Sequence, residues 1–102
     1  MQYKVQLQLN NSGSGIFYIN DGVDQIAKME VGITGKLLTV YHTEVAEKEE
    51  GKGLAKTLLA VMVDHARTHN LKVLPLCPYV HLQFKRHPED YGDIWQRETN
   101  HQ

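Results

Sequence analysis

A single cysteine, Cys77, rules out an internal disulfide, and no stretch comes near the roughly 18 consecutive apolar residues that a membrane-spanning helix needs. The N-terminus also lacks a basic stretch followed by an apolar one. It alternates from Tyr3 onward, and the expected setting is cytoplasmic. Charge of one sign is missing too. Eleven Lys and Arg face twelve Asp and Glu, a formal net charge of -1, so no broad basic field exists to hold nucleic-acid phosphates. Neither a nucleic acid nor a membrane is expected as a partner. At 102 residues the chain is too short for two cores, and 41 % hydrophobic with 23 % charged residues excludes a disordered or coiled-coil class. The expectation is one compact soluble domain over residues 1–102.

What is present is periodicity. Tyr3, Val5, Leu7 and Leu9 alternate with Lys4, Gln6, Gln8 and Asn10, the pattern of a half-buried strand. A turn-rich stretch, Asn11, Ser12, Gly13, Ser14 and Gly15, leads to a second strand at 16–19, which ends at Asn20, Asp21 and Gly22. Ala27, Met29, Val31 and Ile33 alternate as a third strand, Gly35 and Lys36 turn, and Leu37–Val45 is extended again, completing a long hairpin. From Gly51 the period becomes helical. Leu54, Leu58, Met62 and His65, with Ala55, Leu59, Val61 and Ala66 beside them, form a wide apolar arc, and Lys56, Ala60, Asp64 and Arg67 mark the wetter side. Residues 71–76 read as a short strand near a sheet edge because of Pro75, so strand, helix and strand make one right-handed crossover with a parallel pair. Pro78 suits the first position of a second helix through about residue 86, and the remainder, with Pro88, Gly92 and the polar tail after Trp95, reads as irregular.

The chemistry concentrates in Lys48-Glu49-Glu50-Gly51-Lys52-Gly53-Leu54-Ala55, between an extended segment and the long helix. Amides at a helix start lack intrahelical partners, and the peptide dipoles put about half a positive charge there, so this end attracts anions. Gly51 and Gly53 permit turns that a side chain would obstruct and let a pyrophosphate approach the amides, while Lys48, Lys52 and Lys56 add charge. G-x-G before a helix is weak evidence alone, because any tight strand-to-helix turn uses glycine. Two phosphate motifs are excluded: G-K-[ST] does not follow four spacer residues, and Lys56 stands where a dinucleotide fingerprint needs its third glycine.

At these residues the chain resembles the acyl-CoA N-acyltransferase superfamily of GNAT type, whose signature [QR]-x-x-G-x-[GA] opens a helix. Lys48-x-x-Gly51-x-Gly53 matches the two glycines and replaces the first anchor by another basic residue. Tyr41-His42-Thr43-Glu44-Val45 and Leu74-Pro75-Leu76-Cys77-Pro78-Tyr79-Val80 extend the likeness to a minimal, roughly hundred-residue subfamily over nearly the whole chain. The resemblance implies an α/β (α+β) fold: a mixed, mostly antiparallel sheet with a β-α-β acyl-CoA-binding unit, whose fourth and fifth strands splay around the pantetheine arm of acetyl-CoA. Strands would fill 1–46, the pyrophosphate-binding helix 51–70, and the fifth strand and C-terminal helix 71–95. Pantetheine would pair with backbone at Thr43, Glu44 and Val45, and the pyrophosphate would fall to Gly51, Lys52, Gly53, Leu54 and Ala55, with Lys48, Lys56 and Tyr79 nearby. Two departures stand out. The place of the family's helix pair after the first strand is taken by the short stretch from Asn11 to Gly15, and the C-terminal strands are truncated; in addition, Glu47, Glu49 and Glu50 bring negative charge to the phosphate site.

The implied reaction moves an acetyl group from acetyl-CoA to a primary amine, on a small molecule or a protein lysine. Holding both reactants together is the main source of rate, at effective molarities of about 10⁵ to 10⁸ M. His42 or Glu44 is the candidate base for the ammonium, and Cys77 the candidate nucleophile at a positive helix start; the bland reading of Cys77 is a small buried apolar residue. Tyr79, Val80, Leu82 and Phe84 either shape the acyl slot or pack the core. His87, Tyr91 and Trp95 either form an acceptor surface or, for Trp95, anchor the C-terminus. No metal site is expected: His65 with His69, and Cys77 with His81, offer pairs where zinc wants three or four ligands. The rival function is a non-catalytic module that binds CoA or acyl-CoA and acts through protein partners.

Overall fold

The computed structural model describes residues 3–97. Five strands lie in the order of the chain: β1 (Val5–Leu9), β2 (Ser14–Asp21), β3 (Asp24–Thr34), β4 (Leu37–Val45) and β5 (Lys72–Pro75). The first four are antiparallel, and β5 runs parallel to β4 after the crossover through α1 (Leu54–Thr68). Two shorter helices follow, α2 (Pro78–Arg86) and α3 (Pro88–Tyr91). This is the mixed, mostly antiparallel α+β architecture that the resemblance implies.

Several boundaries differ from the sequence reading, each for a local reason. Ser14 and Gly15 belong to β2, because only the Asn10 side chain is needed to close the turn: its Oδ1 accepts from the Ser12 and Ser14 amides at 2.9 and 3.0 Å. The helix expected from residue 51 starts at Leu54, since Gly51 (φ +89°) and Gly53 (φ +78°) are both left-handed. A 3-10 turn at Glu47–Glu49 fills the approach. β5 spans Lys72–Pro75 and is shorter than the run 71–76, and the segment read as irregular contains α3, begun by Pro88. The rest of the tail expected to be irregular, 98–102, lies outside the described residues.

The core forms where α1 lies on the sheet. Leu54, Leu58 and Met62 recur every four residues and, with Leu59, Val63 and Ala66, are buried against Phe17, Ile19, Met29, Val31, Leu38, Val40 and Val73. Val61, placed within the apolar arc by its type, is 37 % exposed, so the buried stripe is narrower than the arc. The helix closes on Asn70 in the left-handed region (φ 57°), with Asn70 N–H to Arg67 C=O and Leu71 N–H to Ala66 C=O satisfying the last carbonyls. Arg67 then ties α1 to the C-terminal segment. Its Nε and Nη2 donate to the Asp93 carboxylate at 3.0 Å each, and Nη2 also donates to the Asp90 carbonyl.

His65 sits at the edge of the buried stripe, its ring 5.6 Å from Phe17 edge-on and 4.2 Å from the exposed His69. Burial pushes its pKa below the ordinary histidine value, a neighbouring His69 cation pushes the same way, and Asp64 opposes weakly. The unfolded chain therefore takes up a proton at His65 before the folded chain does. The stability that neutral His65 carries is complete above the unfolded value of 6.5 and is lost as pH falls through the lower folded pKa. The unfolding midpoint should decline between about pH 7.5 and 5, and His65→Gln should decline less steeply over that range. Equal slopes would show that His65 contributes nothing to it.

Candidate functional site

β4 pairs with β3 along its whole length but with β5 only from Leu37↔Lys72 to Val40↔Pro75. Beyond Val40 one edge of β4, residues 41–45, has no strand beside it among the described residues. The strands part at an irregularity. Glu30 pairs with His42 and Val31 with Val40, so Tyr41 is an extra residue, a bulge on β4. Gly32 makes room for it, since a Cβ there would lie 3.2 Å from the Tyr41 ring.

The bulge reverses which side chains face α1. Leu38 and Val40 point to that face before it. After it the register puts Thr43 with Met29 and Phe17, and Val45 with Ala27 and Ile19, on the same face. His42 and Glu44 consequently stand on the opposite, exposed face, where His42 Nε2 lies 3.4 Å from a Glu44 carboxylate oxygen. The three candidate catalytic residues are thus divided. Cys77 is buried on the α1 side, with Sγ 3.3 Å from Thr43 Oγ1 and its amide bonded to the Val40 carbonyl at 2.9 Å.

A cavity of about 350 Å³ reaches from Val45, at the end of the free edge of β4, to the start of α1, lined also by Glu49, Glu50, Gly51, Gly53, Leu54, Ala55, Lys56 and Tyr79. The first helical bond of α1 runs from Thr57 N–H to Gly53 C=O, which leaves the amides of Leu54, Ala55 and Lys56 without intrahelical partners. Nothing stands within 4 Å of a Cβ built on Gly51 or Gly53, so the backbone there meets open space. Lys52 does not line this cavity. Its Nζ donates to Glu49 at 2.7 Å, and that hydrogen bond and charge raise its pKa. Glu49 is buried at 7 % exposure, so the acidic residue that stood out in the sequence neutralises Lys52 from below. Lys48 is exposed and Glu44 borders a neighbouring small cavity with Ala27 and Val45. Tyr79 is half-buried, and burial, followed by the charges of Tyr91 and Cys77, pushes its phenol upward, which keeps it a proton donor at neutral pH.

Of the residues offered as shaping the slot, Val80 and Phe84 are fully buried core and Leu82 is 41 % exposed. Trp95 packs edge-on to Phe84 and His81, and the Phe84 ring stacks on Tyr91 at 4.8 Å. These contacts were beyond reach of periodicity, because they join α2 to residues that carry no periodic pattern. The exposed trio His87, Glu89 and Asp90 brings possible ligand atoms within 4.8 Å, a common surface arrangement, while Cys77 is engaged with Thr43. Among the described residues no helix is long and apolar enough to cross a membrane.

A family model described as GCN5-related N-acetyl-transferase matches residues 16–94. A GCN5-like protein from Staphylococcus aureus, solved in solution, aligns with TM-score 0.66 at 26 % identity over 94 % of this chain and 92 % of that one. Two enzymes share the fold at lower identity. The ribosomal-protein-alanine N-acetyltransferase of Brucella melitensis biovar Abortus 2308 aligns with TM-score 0.63 at 17 % identity, covering 90 % of this chain and 68 % of that chain. The ribosomal-protein-S18-alanine N-acetyltransferase of Escherichia coli aligns with TM-score 0.57 at 14 %, covering 63 % and 42 %. The splayed strands, the glycine-bounded helix start and the family match agree, and the chain belongs to the GCN5-related N-acetyltransferase family, which transfers acyl groups from acyl-CoA.

Proposed function

We propose that the chain, acting as one domain, is an N-acetyltransferase that moves the acetyl group of acetyl-CoA to a primary amine. One observation carries this reading: the unpaired edge of β4 ends, at Val45, in the cavity that the open amides of α1 border. An extended arm with amides can add to a strand edge as a further strand would, and a pyrophosphate suits a helix start whose glycines keep side chains away. Pantetheine then lies along Thr43, Glu44 and Val45, with the pyrophosphate at Gly51, Gly53, Leu54 and Ala55 and Lys56 beside it. Lys48 adds positive potential from outside the groove, whereas the charge of Lys52 is offset by Glu49.

In the reaction the amine nitrogen forms a bond to the thioester carbonyl carbon, the C–S bond breaks, and CoA leaves as a thiolate. Tyr79, protonated in the groove, is placed to return a proton to that sulfur. The amine reaches the slot from the face opposite α1, where His42 and Glu44 accept the proton it sheds, directly or through water. Cys77 offers a second route in which its thiol takes the acetyl group first and passes it on. Rapid acid quench followed by mass analysis separates the two: a Cys77 peptide heavier by one acetyl group supports the relay, and an active Cys77→Ala removes it.

CoA should raise the unfolding midpoint, and acetyl-CoA should release free thiol only when a primary amine is supplied. Stabilisation with no thiol release from any amine would leave a CoA-binding module and end the enzyme reading. Replacing both His42 and Glu44 by alanine should lower turnover more at neutral pH than at high pH, where the amine is already deprotonated. A uniform loss would give the pair a structural role.

A further inference from the structure

A second cavity, of about 570 Å³, lies outside the groove and is within the size range of small-molecule sites. Its walls include Leu74, Leu76, Pro78, His81, Trp95 and Arg97. Leu76 and Pro78 flank Cys77 in the chain, so the cavity lies beside the segment whose Cys77 meets Thr43. Arg97 is the cationic side chain of the wall, its guanidinium carbon 3.7 Å from the centre of the Trp95 ring. A guanidinium that close over an indole is in cation–π contact with it, and its N–H donors remain available to an anion in the cavity. Among the described residues Arg97 makes no ion pair, whereas Arg67 is held by Asp93 and Lys52 by Glu49. No described residue of the lining is Asp or Glu, and His81 and Gln96 add polar atoms beside Arg97. Among the described residues the cavity joins an apolar floor to a guanidinium that has no carboxylate partner.

The geometry points to this cavity as the site of the acceptor, selecting a primary amine that also bears a carboxylate and a short apolar body, an amino acid of the leucine type. The inference rests on the acetyl-transfer reading for its purpose but on the cavity for its chemistry. The carboxylate takes a forked pair of bonds from Arg97, the apolar body covers Trp95 and Leu74, and the amine is left on the side of the 76–78 segment, next to the slot. An acceptor lacking the carboxylate leaves Arg97 without its partner and gains only the apolar contact.

Trp95 is the chain's one tryptophan, so its emission reports this cavity. Titration of the full chain with L-leucine should give a saturable change in emission. With 3-methylbutylamine, which has the same body and amine but no carboxylate, the affinity should be at least about tenfold lower. Arg97→Gln should lower the affinity for L-leucine by a similar factor while keeping the CoA-induced rise in unfolding midpoint, which shows that the variant is folded. Equal affinities for the two compounds, no response to either at millimolar concentration, or unaltered affinity in Arg97→Gln would overturn the assignment. The two readings fail separately. L-leucine bound but not acetylated while another primary amine releases thiol, or transfer to 3-methylbutylamine as fast as to L-leucine, keeps the enzyme and overturns the cavity as acceptor site, whereas no thiol release with any amine removes the enzyme and leaves only the binding of L-leucine standing.

Discussion

Gly53→Val should weaken CoA binding by at least about a hundredfold, with acetyl transfer falling in step. The residue sits at φ +78° directly before the unpartnered amides of α1, in a region that costs a residue with a Cβ about 1 to 2 kcal/mol, and a β-branched one more. That cost lowers stability but would not by itself weaken binding. The added methyls project into the open space that the groove keeps in front of the backbone, where a phosphate oxygen has to come within hydrogen-bond distance. Charge-assisted bonds to such amides are worth about 1.5 to 3 kcal/mol each, so the loss of two accounts for the expected factor. Gly22→Val is the control. Gly22 has φ +67° and open space around it, in the turn between β2 and β3, so it carries the same backbone strain away from the groove. A similar loss of CoA affinity in both variants, measured by calorimetric titration, would mean that Gly53 matters for folding alone.

Phe84→Ala is expected to cost about 3 to 5 kcal/mol, much of the ~5 to 15 kcal/mol that holds a domain together. The unfolding midpoint should fall by roughly 12 to 40 °C. Phe84 is fully buried, stacks on Tyr91 and meets Trp95 edge-on at 5.9 Å, so its removal leaves a cavity bordered by the ring that supports Arg97. Trp95 emission should shift to the red in the folded variant as the indole loses its apolar partner. Leu82→Ala, two residues away on the exposed side of α2, should change stability by no more than about 0.5 kcal/mol. Comparable losses at both positions would contradict the placement of α2.

The limits of β4, the helix begun by Pro78 and the glycine-bounded approach to α1 could be read from one-dimensional signals. Alternation, a proline ring that lacks an amide and a residue without a Cβ each act within a few positions of chain. The start of α1 was legible only to within three residues, because two left-handed glycines continue the turn up to Leu54. The role of Glu49 was hidden altogether. Its charge looked hostile to a phosphate until the 3-10 turn buried it under Lys52.

By itself the sequence determined the order of the five strands, α1 and α2, since each depends on local backbone preference or on the period of apolar residues, and its resemblance to a family supplied the class of the fold. Only the tertiary structure decided on which side of the sheet each candidate stands. One extra residue at Tyr41 reverses the alternation, sending Thr43 and Val45 toward α1 and His42 and Glu44 away from it, and a bulge exists only relative to the strand it is paired with.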